Sequence, residues 1–160
     1  FAILLGLVRI GYARFGKNIS RVLLIGMIGA AACYLVVTFS PGVVPAMIAC
    51  ALTGLFTAML WPGTLIMMEE KMPALGVTAY ALMAAGGDFG AALAPQLLGI
   101  VTDTVSASSF ASELGATMNL TAEQVGLKAG MLVTAVFPIL GTVAVIIAMR
   151  YFKKRTDERI

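Results

Sequence analysis

The chain has 160 residues, of which 60% are hydrophobic and only 12% charged, where an ordinary soluble domain carries about a quarter charged residues. No charge falls between Arg21 and Glu69, a run long enough for two bilayer crossings of about 20 residues each, so the composition excludes a soluble domain. The absence of His excludes imidazole metal sites and His-based catalytic triads within the chain, and the net charge of +3 sits on residues flanking apolar segments rather than in a nucleic-acid-binding pattern.

In chain order, Phe1–Val8 is apolar but too short to span, and is expected to be the last turns of a membrane helix. Arg9, Arg14, Lys17 and Arg21 follow with no acidic residue among them. Gly11 and Gly16 are expected to break this stretch into a basic loop, and Asn18-Ile-Ser20 offers N-cap chemistry to the next helix. The first complete span is expected over 20–39, where Gly26, Gly29 and Ala30–Ala32 provide a small-residue packing surface. Ser40-Pro41-Gly42 is an uncharged turn that reverses the chain. Cys33 and Cys50 read as small buried thiols in helix packing, with no metal-ligand or disulfide spacing.

The second span is expected over 43–68. Thr53, Thr57, Trp61 and Thr64 recur at spacings of four, four and three, which places them on one helical face as a candidate pathway lining. Pro62-Gly63 should kink or loosen the helix beside Trp61. After the Glu69–Pro73 loop, a third span over 76–102 carries Asp88 near its middle, with Gly86, Gly87 and Gly90 around it and Pro95 beyond. Asp103–Lys128 is a polar connection in which Thr121-Ala-Glu-Gln124 reads as a capping box. A fourth span is expected over 129–149, followed by an aromatic and basic tail over 150–160 that anchors at the interface.

Asp88 is the residue that demands an explanation, because an ionised Asp at a helix centre costs about 2.5–3.5 kcal/mol on insertion scales. Such groups face a protein interior or a water-filled cavity. Three roles are open: a substrate-binding or proton-carrying carboxylate, a cap for a helix broken at Gly86-Gly87, or an ionic latch. Tyr80 and Gln96 lie eight residues to either side of Asp88 and are each rotated about 80° from it on a regular helix. They join it on one face only if the glycines and Pro95 break the helix, as carriers with discontinuous helices do. The spacing places no Lys or Arg of this chain near the depth of Asp88.

Four spans put the Arg9–Arg21 stretch, the Glu69–Pro73 loop and the tail on one side. That side holds every Lys and Arg except Lys128, and the positive-inside rule therefore puts the C-terminus in the cytoplasm.

The pattern resembles the C-terminal half of a major facilitator superfamily transporter, from the end of its eighth helix to its twelfth. Gly11-Tyr-Ala-Arg14-Phe15-Gly16-Lys17 resembles the basic loop that the family repeats between helices eight and nine: Arg14, Gly16 and Lys17 match, while Ala13 stands where the family has Asp. Trp61-Pro62, Gly86-Gly87 with Pro95, and Gly99-Ile-Val-Thr-Asp103 resemble the sugar-permease branch that includes fucose permeases. The resemblance implies an all-α integral membrane fold, with four complete helices and the end of a fifth belonging to a twelve-helix, two-lobed carrier in the plasma membrane. It implies transport of a small polar solute, such as a sugar, by alternating access with proton coupling. Its partners would be that solute, the lipid bilayer and the N-terminal lobe of the same transporter, with no nucleic acid, cofactor, metal or enzymatic step. Two other readings of the residues are a self-contained small membrane protein, acting as a dimeric carrier or a non-transport component, and an integral membrane enzyme, against which the lack of His, of paired intramembrane carboxylates and of a Ser-Lys dyad within a span speaks. The expected orientation is checked by C-terminal reporter fusions: a fluorescent protein placed there should be bright, and an alkaline phosphatase inactive.

Overall fold

The computed structural model describes residues 1–40 and 42–157; Pro41, residues 158–160 of the tail and the side chains of Leu75, Arg155, Thr156 and Asp157 lie outside the described residues. Among these, every regular element is helical: α1 (Ala2–Phe15), α2 (Ile19–Phe39), α3 (Val43–Thr57), α4 (Leu60–Lys71), a short 3-10 turn over Pro73–Leu75, α5 (Gly76–Ser106), α6 (Ser109–Met118), α7 (Ala122–Thr134) and α8 (Val136–Asp157). Four helical stretches are long and apolar enough to cross a membrane: Ile19–Phe39, Val43–Lys71, Gly76–Ser106 and Ala122–Lys154. The chain is therefore read as membrane-embedded.

The expected basic loop is mostly helix. α1 runs through Gly11 to Phe15, and only Gly16–Asn18 connect it to α2. An isolated Gly costs a helix only about 1 kcal/mol, and α1 runs through Gly11 although its flanking residues are largely exposed. Gly16 does end it, in extended backbone (φ −64°, ψ 130°), and a Cβ there would collide with the Tyr12 carbonyl and ring. Asn18 takes the N-cap position of α2 in the left-handed region (φ 58°) without a side-chain cap bond. The last span also begins earlier than its apolar run, at Ala122. There Thr121 and Gln124 form the reciprocal capping box, with Gln124 N donating to Thr121 Oγ1 (3.2 Å) and Thr121 N to Gln124 Oε1 (2.9 Å).

Each of the two broken spans is interrupted just upstream of a proline. Pro62 has no N–H to give the carbonyl four residues back, and its ring crowds that carbonyl. That carbonyl belongs to Ala58, and the helix is interrupted at Ala58–Met59, where Met59 takes φ −99°, ψ 0°. Pro138 stands in the same relation to Thr134, the last residue of α7. Pro95, by contrast, lies inside an uninterrupted α5.

α2 is the central helix, packed against α3, α4, α7 and α8, while α1 packs on α3, and α5 and α6 on α7. The buried core joins Ile19 and Leu23 of α2 to Met59 and Val145. Small residues let the backbones approach, as lipid-embedded helices require. Gly26 and Gly29 of α2 receive Phe56; a Cβ at Gly26 would lie 2.6 Å from the Phe56 carbonyl oxygen. Gly126 and Gly130 of α7 receive α5, with the Thr102 carbonyl oxygen 2.5 Å from a Cβ at Gly126.

Two cations secure helix ends and breaks across long sequence separations. Arg9 Nε donates to the Ala58 carbonyl at 3.0 Å, supplying the donor that Pro62 removes. Lys128 Nζ donates to the carbonyls of Thr38 (3.1 Å) and Ser40, which are orphans of the α2 C-terminus. A lysine there also suits the negative end of the helix dipole.

The Arg9 bond generates a double-mutant prediction. Arg9→Ala leaves the buried Ala58 carbonyl unpaired and should lower unfolding stability in detergent by about 1–3 kcal/mol. In a Pro62→Ala background, residue 62 regains an N–H and the same Arg9 change should cost less than half as much, as a double-mutant cycle by chemical denaturation would read.

Candidate functional site around Asp88

The site is built where α4 and α5 meet. Asp88 lies twelve residues into α5, about 18 Å along the helix and so near mid-span. Its carboxylate is exposed, and it has no hydrogen-bonding partner among the described residues. No residue of α5 is buried.

The glycines beside Asp88 do not break the helix. α5 is continuous through Gly86, Gly87, Gly90 and Pro95, so Asp88 caps no interrupted backbone. Pro95 instead lines a cavity of about 210 Å³ with Tyr34, Leu98, Thr134 and Phe137. Because the helix stays regular, the eight-residue spacings keep Tyr80 and Gln96 rotated away from Asp88 in opposite senses. All three are at the surface, on different flanks of α5.

Gly87 serves a contact. Its missing side chain makes room for the Trp61 indole, and a Cβ at this position would lie 2.5 Å from Trp61 Cζ3. Gly86 and Gly90 have open space where a side chain would project. Gly63 is buried and packs against Ile19 and Leu23, so Pro62-Gly63 combine a backbone break with a close approach to α2.

The threonine stripe is split by that break. Thr53 Oγ1 donates to Ala49 O (2.9 Å), Thr57 Oγ1 to Thr53 O (2.8 Å) and Thr64 Oγ1 to Trp61 O (2.8 Å). Each hydroxyl proton is thus committed to its own helix, and the oxygens can only accept further bonds. Thr53 also reaches the Cys33 thiol of α2, whereas Trp61 turns to α5. The backbone between Thr57 and Trp61 leaves helical geometry at Met59, so the stripe is carried by two helices, α3 and α4, rather than by one. Cys33 is buried as expected, but Cys50 is exposed.

Arg9 has a structural partner that the sequence reading did not foresee. Grouped with the loop charges, it instead bonds Ala58, three residues before Trp61, whose ring covers the neighbour of Asp88. The available signal was the uninterrupted apolar run into Arg9, which lets α1 continue inward past it. At the basic end, Tyr12 packs against the core. Burial, and next the Glu70 carboxylate, push its phenol above the ordinary tyrosine value. Arg14 and Lys17 are exposed, with the Arg14 guanidinium 5.8 Å from the Phe15 ring centroid.

No protein-family model, curated protein or solved structure matches this chain. Its functional reading therefore rests on its own residues and on the motif resemblance.

Trp61 is the single tryptophan of the chain, so its emission reports the α4–α5 contact directly. Gly87→Leu should push the indole off α5 and increase quenching by brominated lipid or acrylamide. Gly86→Leu, which meets open space, should leave the spectrum unchanged.

Proposed function

We propose that the chain forms part of a secondary transporter of the major facilitator type, moving a small polar solute, with a sugar as the expected class, by alternating access. The observation that carries this reading is an exposed, unpartnered carboxylate near the middle of a membrane-spanning helix, held beside a proline-broken span. A charged group at that depth is a functional residue by default.

In this reading Asp88 is the coupling carboxylate. Protonation removes the charge that makes mid-span exposure costly, so the loaded lobe can rearrange with the site neutral. Deprotonation on the other side restores an acceptor for solute hydroxyls. The Trp61 indole, about half exposed, supplies a flat apolar wall and one N–H donor next to it. The break at Ala58–Met59 gives α4, and with it Trp61, a hinge inside the spanning segment, and Arg9 holds that hinge in one geometry. The second lobe that closes the pathway, the plasma membrane and the cytoplasmic C-terminus belong to the same proposal.

The test is uptake of radiolabelled monosaccharides into membrane vesicles containing the full-length protein, wild type beside Asp88→Asn, at two external pH values. Wild type should accumulate sugar under an inward proton gradient. Asp88→Asn should lose accumulation while retaining exchange of labelled for unlabelled sugar. Unimpaired accumulation by Asp88→Asn removes Asp88 from coupling, and no sugar movement under any gradient removes the sugar class.

A further inference from the structure

At the end of the bundle opposite the basic tail, a cavity of about 460 Å³ opens between the C-terminal end of α2, the start of α3 and the first turns of α7. Its lining changes character with depth. Its polar residues, Ser40, Asn119, Gln124 and Lys128, gather at the mouth beside apolar Val43 and Leu120, while Met47, Cys50 and Met131 lie further along α3 and α7. Cys50 is seven residues beyond the start of α3 and Met131 nine beyond the start of α7, about 10 and 14 Å along their helices. A cavity whose polar groups gather at one end and whose lining is apolar one to two turns further along its helices matches an amphiphile with a polar head and a hydrocarbon chain.

The sign of the head follows from Lys128. Its ammonium is fixed by the Thr38 and Ser40 carbonyls, which use two of its three donors and leave one N–H and the full positive charge at the mouth. Lys128 is also the basic residue that departs from the one-sided distribution of Lys and Arg. The Gln124 side-chain oxygen is occupied by the capping box, so its amide NH2 remains as a second donor. The mouth thus presents a held cation and neutral donors, complementary to a phosphate diester.

We propose that this cavity is a binding site for an anionic phospholipid, its phosphate at Lys128 and one acyl chain running past Met47 and Cys50 toward Met131. Basic pockets between membrane helices take lipid head groups by the same electrostatics.

The experiment is native mass spectrometry of the purified full-length protein, titrated with phosphatidylglycerol or phosphatidylcholine. Wild type should retain phosphatidylglycerol preferentially. Lys128→Met should weaken phosphatidylglycerol about fivefold, the worth of one lysine at a lipid surface, while phosphatidylcholine is unchanged. Lys128→Arg should keep the preference. Cys50→Trp, which fills the deep end without touching the Lys128 bonds, should reduce retention of both lipids and keeps the test decisive if Lys128→Met does not fold. Equal retention of the two lipids by wild type overturns the proposal, as does unchanged retention in Cys50→Trp. Competition by soluble glycerol phosphate as effective as that by the lipid overturns the acyl-chain half and leaves an anion site.

Discussion

Inside a bilayer, a carbonyl deprived of its helical donor has no water to bond, and each unsatisfied group there costs several kcal/mol. Pro62 creates such a carbonyl at Ala58, near the middle of the second spanning segment. Arg9 answers it from another helix, and much of the arrangement depends on that pairing. It ties α1 to the second span at the break that Pro62 makes. It also fixes the start of α4, the helix that carries Trp61 to α5 and packs Gly63 against α2.

The rest of the bundle is assembled by close approach rather than by bulk. Chains embedded in lipid gain little from burying one apolar surface against another, since lipid is equally apolar. Van der Waals contact at short range has to supply the difference. Gly26 and Gly29 receive Phe56, Gly126 and Gly130 receive α5, and Gly87 receives Trp61. A side chain at any of these positions would separate helices that otherwise touch. The glycines around Asp88 fall into two kinds in consequence: Gly87 is a contact, while Gly86 and Gly90 face open space.

Asp88 gains its meaning from this frame. α5 is anchored on α7 through its C-terminal half, and its N-terminal half touches the bundle through Trp61. The carboxylate is consequently held at a defined depth by a continuous helix and left unpartnered on an open face. The proposed carrier chemistry needs both conditions: a fixed position for proton transfer and an exposed site for the solute. Lys128 shows the opposite use of a charge, since most of its donor capacity closes the α2 terminus.

The spanning segments were legible from residues alone, because bilayer thickness translates directly into the length of an apolar helical run. The capping box at Thr121 and Gln124 was equally legible, because its partners lie three residues apart. So was the disturbance near Pro62, since proline acts on the carbonyl four residues upstream wherever it stands. The continuity of α5 was not, because Gly and Pro lower helix stability by amounts that packing against α7 and α4 can offset. Nor was the partner of Arg9, 49 residues away, or those of Lys128, 88 and 90 residues away. The sequence by itself determined how many times the chain can cross a membrane and which residues are too polar to be there without cause. Only the tertiary structure decided which of those charges close a backbone group and which stand open, because that depends on contacts between helices far apart in the chain.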